Sequence, residues 1–122
     1  MVALAVLELT ADPAFLHRVN ELAERFASGF QQLRVRYPET LIETRQLGLM
    51  IGLVFPDETC GPLMTKLLYE EGVLAIYANN DQRVLQFLPP LVMDDLEAEE
   101  TLGAVDRALA TQSRLRGWRI ID

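Results

Sequence analysis

Few side chains in this sequence could do covalent or acid–base chemistry. Lysine, histidine and cysteine occur once each, as Lys66, His17 and Cys60. An amine, imidazole or thiol becomes a nucleophile or base only when a neighbouring group activates it. The sequence has no glycine-rich phosphate loop, no Gly-x-Ser-x-Gly turn and no Cys or His pair at metal-binding spacing. We therefore predict neither a complete catalytic site nor a metal site in these 122 residues.

Each of the three reactive residues has a structural interpretation. Lys66 precedes Glu70 by four residues in a helical pattern, which is typical of an exposed lysine paired along a helix. His17 is expected at the polar edge of a long helix, and a lone histidine cannot form a zinc site by itself. Cys60 cannot form an internal disulfide and is interpreted as a small packing residue in a reducing compartment.

The composition excludes several classes of protein. The formal charge of −7 argues against nucleic acid as a partner, because phosphate binding requires clustered Lys and Arg. Residues 1–7 are apolar but lack the basic region and cleavage site of a signal peptide, and no apolar run approaches the ~20 residues that span a bilayer. The expectation is a soluble cytoplasmic protein with no membrane partner. Half of the residues are hydrophobic, a high fraction for so small a domain, and we expect part of the apolar surface to contact a partner protein.

Periodicity and capping signals divide the chain into helices and strands. Residues 1–9 are predicted to end one helix, and Asp12-Pro13 starts a second of about two dozen residues that Pro38 terminates. That second helix has an apolar stripe with helical spacing: Phe15, Val19, Leu22, Phe26, Phe30 and Leu33. Period-two alternation between 41 and 55 predicts one or two strands, and a turn at 56–59 leads to a short helix that Gly72 ends.

The second half of the chain is predicted to contain another pair of strands followed by a helix. Strands are predicted at 73–77 and 84–88, with Asn79-Asn80-Asp81 as the hairpin turn between them. Asp94 and Glu97 resemble a capping box at the start of a last helix. The predicted fold is α+β, a single domain (1–122) with a small, mainly antiparallel sheet of three to four strands covered by helices.

One predicted strand is apolar on both faces. Leu49, Ile51, Leu53 and Phe55 alternate with Met50 and Val54, and such a strand should be buried on both faces. The helices of this chain suffice to cover one face. The second face is predicted to be covered by a domain outside this chain or, alternatively, by self-association or the edge of a bundle.

Four short segments, in order, resemble one protein family. They are the opening Ala-Leu-Ala-Val-Leu-Glu, the run Arg45-Gln46-Leu47-Gly48-Leu49-Met50-Ile51-Gly52, the Gly72-Val73-Leu74 turn, and Phe87-Leu88-Pro89-Pro90-Leu91-Val92. With the long helix between the first two, they resemble the C-terminal small domain of the class III aminotransferases, such as the ornithine, acetylornithine, putrescine and 4-aminobutyrate transaminases. Gln46 replaces the first glycine of the family pattern Arg-Gly-x-Gly-Leu-Met-x-Gly. The resemblance runs from Met1 to Thr111, and the tail at 114–122 lies outside it.

The resemblance implies that this chain is one part of an enzyme, the part that does not carry the catalytic residues. The parent would use pyridoxal phosphate to move an amino group from an amine or amino acid to a keto acid, and would be a dimer. Its cofactor lysine and most phosphate contacts would belong to a large domain outside this chain, so no cofactor is expected on the isolated chain. The small domain would form one wall of the substrate cleft and be inactive alone. The alternative is a stand-alone α+β module that binds a small molecule or a protein without catalysis.

The resemblance also identifies candidate cleft residues. Many members have an arginine where this chain has Gln86, and there it faces the active site. Gln86 offers neutral hydrogen bonds in place of a bidentate, charge-assisted clamp. Together with Tyr77, Asn79 and Asn80 it forms the predicted cleft-facing set. The structural alternative for Gln86 is a polar residue on a solvated strand face, shared with Val84 and Leu88 and opposite Leu85 and Phe87.

Overall fold

A computed structural model describes residues 12–73, 75–78, 80–89 and 93–121, with side chains through 115. Its elements, in chain order, are α1 (Pro13–Arg36), β1 (Glu43–Leu47), β2 (Met50–Val54), α2 (Cys60–Glu70), β3 (Ile76–Ala78), β4 (Asp81–Phe87) and α3 (Asp95–Ile121). The predicted order of helix, strand pair, helix, strand pair and helix is confirmed. The helix predicted at 1–9 lies outside the described residues.

The long helix α1 begins and ends at the predicted signals. The Asp12 side chain accepts a hydrogen bond from the Ala14 N–H at 2.9 Å, and Pro13 occupies the first helical turn, where its missing N–H costs nothing. The helix stops at Arg36, two residues before Pro38. Its apolar stripe is buried from Leu22 to Leu33, which fixes the face that α1 turns to the sheet.

The four strands form one antiparallel sheet in the order β1-β2-β4-β3. β1 and β2 form a hairpin whose turn contains Gly48 at φ 59°, a backbone conformation that glycine adopts without strain. β4 lies beside β2, and β3 pairs with the outer side of β4. The α+β fold with an antiparallel sheet of four strands is thereby confirmed.

The strands of the second hairpin have different bounds from those predicted. After α2, Gly72 takes φ 86° and the Val73 N–H still bonds to the Leu68 carbonyl at 2.8 Å, so the helix cap uses residues that the pattern assigned to a strand. β3 therefore begins only at Ile76. β4 begins earlier than predicted, at Asp81, because Asp81 already pairs with Ala78 across a two-residue turn.

The hydrophobic core lies between the helices and one face of the sheet, here called the inner face. Phe26 and Phe30 of α1 both pack against Phe87 in T-shaped arrangements, with centroid distances of 5.4 and 5.7 Å. Leu53 and Leu85 are completely buried beside them. Such aromatic and aliphatic burial is the main stabilising term for a domain of this size.

Helix α2 covers the β3–β4 side of the inner face, and α3 packs on α1 and α2. A Cβ atom at Gly61 would lie 2.0 Å from the Gln82 carbonyl oxygen, so α2 approaches β4 as closely as only glycine permits. Cys60 is buried at the start of α2, as its packing role predicted. Asp94 precedes α3 and caps it, since its side chain accepts a hydrogen bond from the Glu97 N–H at 2.7 Å; the helix buries Ala98, Val105 and Leu109. Among the described residues, no helix combines the length and hydropathy needed to cross a membrane.

Candidate functional site

The second face of the sheet, here called the open face, carries a cluster of exposed apolar side chains. Leu47 and Met50 are register partners in the first hairpin, and they are 78% and 64% exposed. Leu88 follows Phe87, the partner of Ile51, and so flanks Met50; it is also more than half exposed. Ile76, at the far edge, is exposed as well. Contiguous apolar exposure of this kind marks a surface made for a partner or a ligand.

A groove of about 480 Å³ lies in this apolar cluster. Arg45, Gly52 and Gln86 are aligned across it by the register of three adjacent strands, and Leu47, Met50 and Leu88 flank them. Gly52 has no side chain, so the centre of the row is open between the two long polar side chains. Small-molecule sites have volumes of this order and a mainly apolar lining with a few polar groups.

The expectation that β2 is buried on both faces is half correct. Leu49, Ile51, Leu53 and Phe55 are buried on the inner face. On the open face Val54 is 6% exposed, whereas Met50 is mostly exposed. Burial on the open face thus holds at the Val54 end of the strand and fails at the Met50 end, where the groove lies. Met50 is left exposed because α1 and α2, the described helices that contact the sheet, both lie on the inner face.

The structure places Gln86 on the open face, exposed, on the side shared with Val84 and Leu88 and opposite Leu85 and Phe87. This is the alternation that the sequence predicted. Its register neighbours are Gly52 on one side and Ile76 on the other. Gln86 therefore lines the groove together with Arg45.

Tyr77 does not share that face. It pairs with Leu85, and partners across an antiparallel ladder project to the same side, so Tyr77 lies with the inner-face residues. A Cβ at Gly61 would lie 3.0 Å from the Tyr77 Cβ, so Tyr77 lies against α2. Tyr77 and Gln86 thus lie on opposite faces of the sheet, and their predicted place in one substrate cleft of the parent enzyme stays a prediction.

Asn80 lies in the turn between β3 and β4, beside a separate polar cavity of about 580 Å³ that Glu58, Asp81 and Arg83 also line. Gln86 lies five positions after Asp81 along an extended strand, roughly 16 Å away at about 3.3 Å per residue. The turn is therefore remote from the groove. Asn79 lies outside the described residues. Of the three predicted cleft residues that the structure describes, Gln86 is the one that lines the groove.

The polar cavity has its own charge pair. Arg83 donates from Nε and Nη2 to the two Asp81 carboxylate oxygens at 3.0 and 2.9 Å. The hydrogen bonds from the Arg83 side chain and backbone N–H hold the pKa of Asp81 below its ordinary value. The same pairing raises the pKa of Arg83. The pair neutralises itself at the surface and leaves little net charge for a ligand.

The sequence interpretation missed the groove partners of Gln86. Arg45 and Gly52 were noticed only as members of a family motif. Period-two alternation combined with a tight turn at Gly48 would have paired Arg45 with Gly52, because a two-residue hairpin fixes the register of both strands. The position of β4 beside β2, which brings Gln86 to Gly52, had no signal in the sequence.

The reactive side chains lie away from the open face. Lys66 is exposed on α2, a helix that packs on the inner face. His17 is exposed on α1, and its Nε2 lies 2.7 Å from the Glu21 carboxylate. Within the described ranges, no three His, Cys, Asp or Glu side chains form a group that could hold a metal ion. The open face can bind and orient a molecule, but it offers no nucleophile or base from these residues.

Gln46, where the family pattern has glycine, has a structural role. Its side-chain amide donates to the Ala23 carbonyl of α1 at 2.8 Å and to the Gly48 carbonyl at 2.9 Å. One side chain thus connects the first hairpin to the helix that covers it, and a glycine could make neither bond.

Known proteins resemble this chain over nearly its full length. The family model for aminotransferase class III matches residues 1–109. An uncharacterized aminotransferase of Archaeoglobus fulgidus is 39% identical over 118 residues, which are 93% of this chain and 27% of that protein. The acetylornithine aminotransferase of Thermosynechococcus vestitus is 34% identical over 112 residues, 88% of this chain and 26% of that protein. The crystal structure of N-acetylornithine aminotransferase from Stenotrophomonas maltophilia superposes with a TM-score of 0.80 at 26% identity, over 93% of this chain and 31% of that one.

The fold is that of a small α+β domain with one open sheet face. The chain belongs to the class III aminotransferase family. It spans about a quarter of the length of the curated relatives that it matches.

Proposed function

We propose that this chain is the C-terminal small domain of a class III aminotransferase and forms one wall of its substrate cleft. The observation that carries this proposal is the open face, where exposed Leu47, Met50 and Leu88 surround the groove containing Arg45 and Gln86. An apolar sheet face left open on one side of an otherwise covered sheet is the expected surface of a domain that packs over a cleft.

The described residues do not fit a pyridoxal phosphate site of their own. Such enzymes hold the cofactor through a lysine amine, and the cofactor supplies an electron sink for carbanion chemistry. Lys66 is the chain's one lysine, and it is exposed on the helical side of the sheet, away from the groove. We therefore propose that the cofactor lysine comes from the large domain, and that this chain's share is binding and orientation.

The reaction of the parent enzyme, on this proposal, transfers an amino group from an amine or amino acid to a keto acid. The groove suits a substrate with an apolar or uncharged stem, because most of its lining is apolar and its polar groups are few. We also propose that the parent is a cytoplasmic dimer, assembled mainly through the large domain.

The test uses the full-length enzyme that carries this chain in frame with a large domain. Transamination is measured for a panel of amines and amino acids with a keto acid acceptor. Met50→Glu is expected to lower kcat/KM at least tenfold, because it places a carboxylate on the open face, while Val35→Glu on the helical layer is the matched control. Absence of transamination with every donor, or equal effects of the two substitutions, would contradict the proposed function.

A further inference from the structure

The groove on the open face has a simple charge inventory. Among the described residues that line it, Arg45 is the one with a formal charge, and the Glu43 carboxylate lies beside Arg45 outside the lining. Of the two glutamines in the lining, Gln86 projects to the open face, whereas Gln46 pairs with Ile51 and turns its amide to the inner face, where it bonds to Ala23. A single cation beside one available amide and an apolar lining complements an amphiphilic anion, a carboxylate attached to an apolar stem.

The strand register places Gly52 between Arg45 and Gln86, which leaves room for a ligand between their side chains. Arg45 and Gln86 lie on β1 and β4, two strand spacings or about 10 Å apart, with Gly52 of β2 between them. A Cβ at Gly52 would meet Val84 Cγ1 at 3.4 Å and the Arg45 Cβ at 3.9 Å, which are ordinary contacts. The fold therefore tolerates a side chain at this position, and its absence opens the centre of the groove.

Arg45 is only weakly engaged within the described part of the chain. Its Nη2 lies 3.4 Å from Glu43 Oε2, longer than a good hydrogen bond, and both side chains are about half exposed. Exposed pairs of this kind contribute little and exchange readily. A ligand carboxylate could take two parallel N–H···O bonds from the guanidinium, which is the stronger arrangement.

We propose that Arg45 is the specificity-determining cation of the cleft wall: it binds the carboxylate of an amino-acid or keto-acid substrate, and Gln86 hydrogen-bonds to that substrate from the other side of Gly52. The apolar stem of the substrate lies on Leu47, Met50 and Leu88. This inference rests on the proposed function and names the substrate class of the same groove. Arg45 makes the enzyme select amino acids over simple amines that have the same stem.

The experiment compares two donors that differ only in a carboxylate, an amino acid and the amine formed from it by removing that group. In the full-length enzyme, Arg45→Gln is expected to lower kcat/KM for the acid by roughly ten- to a hundredfold, the value of a lost charge-assisted bond, and to leave the amine nearly unchanged. Arg45→Lys is expected to restore part of the loss, because the charge returns without the bidentate geometry. The control is Arg18→Gln, which removes an exposed cation from α1.

Gly52 gives a second, independent test. Gly52→Val should fill the centre of the groove and lower kcat/KM for both donors, and Gly52→Ala should do so more weakly while keeping the fold. Equal losses for acid and amine in Arg45→Gln, or no loss for the acid, would overturn the inference and leave the proposed function standing.

A binding measurement separates the two proposals. Calorimetric titration of the full-length protein with 4-methylpentanoate and with 4-methylpentan-1-ol needs no turnover. Binding of the carboxylate that weakens about tenfold or more in Arg45→Gln, with the alcohol unaffected, supports the carboxylate site even if transamination fails. Carboxylate binding that is the same in both proteins, or none in either, contradicts it.

Discussion

Leu53 and Met50 lie three residues apart on β2 and face opposite sides of one sheet. Leu53 is 0% exposed under the helices, and Met50 stands open beside the groove. Both are large apolar residues, so residue type does not separate them. The difference teaches that the inner face is a packed hydrophobic core, whereas the open face carries apolar surface that no described helix covers.

The largest expected effect is a loss of stability caused by a substitution in the core on the inner face. Leu53→Ala should lower the free energy of unfolding by about 2–5 kcal/mol, because it leaves a cavity that a packed core fills poorly. Met50→Ala, the control on the same strand, should change it by less than about 0.5 kcal/mol. Urea unfolding of the isolated chain followed by circular dichroism measures both. Similar losses from the two substitutions would mean that the open face is also part of the core.

The next effect sharpens the role of the open face in specificity. In the full-length enzyme, Gln86→Arg should raise kcat/KM about ten- to a hundredfold for donors with a carboxylate near the reacting carbon. The new charge-assisted bond would contribute about 1.5–3 kcal/mol of binding free energy. Simple amines should gain nothing or lose, since the new charge would have no partner in their complexes. Gln31→Arg on α1 is the control. If both substrate classes change equally, Gln86 is only part of the sheet.

Self-association of the isolated chain tests whether the open face lacks its cover. We expect the chain to associate, and Met50→Glu to weaken the association by about tenfold or more, because burying a methionine contributes roughly 1.5–3 kcal/mol. Val35→Glu, on an equally exposed residue of α1, should have no such effect. Sedimentation at several concentrations, with a dye that binds apolar surface, measures this. A monomeric chain that binds no dye would count against a missing partner domain.

A smaller effect concerns the helical layer. Tyr37 donates its hydroxyl to Asp106 Oδ1 at 2.6 Å, and this bond, with burial, raises the pKa of Tyr37. Tyr37→Phe should therefore cost about 1–2 kcal/mol of unfolding free energy at neutral pH. Because the pKa is raised by folding, the contribution is full below the ordinary tyrosine pKa and is lost as pH rises through the folded value.

The check is the difference in unfolding free energy between the wild-type chain and the Tyr37→Phe variant. It should be constant around neutral pH and shrink above about pH 10. If the difference in unfolding free energy grew with pH, the predicted direction of the pH dependence would be wrong.

The smallest expected effect is at Lys66. Lys66→Ala in the full-length enzyme should leave both the cofactor absorbance and kcat unchanged, because Lys66 is exposed on the helical side of the sheet. The isolated chain, mixed with pyridoxal phosphate, should show neither turnover nor an absorbance band that depends on Lys66. Loss of the cofactor band in the variant would place the chemistry in this domain and overturn the proposed division of labour.

The local features could be predicted because they depend on neighbouring residues. Asp12 and Asp94 cap the helices that follow them, and Gly48 and Gly72 adopt the positive φ angles that end a strand or a helix. Alternation placed Gln86 opposite Leu85 correctly, since the period of a strand is two. The order of the elements and the α+β class follow from these signals.

The grouping of the site was decided by contacts between distant segments. Tyr77 and Gln86 were expected together, but the ladder shifts register between Tyr77 and Ala78, so faces cannot be counted through that turn. Gln46 bonds to Ala23, 23 residues earlier. Arg45 and Gln86 lie on either side of Gly52 only because β4 pairs with β2. Local sequence determined which way each strand faces; the pairing of strands and the packing of helices on one side determined which residues share the groove and which apolar face stays open.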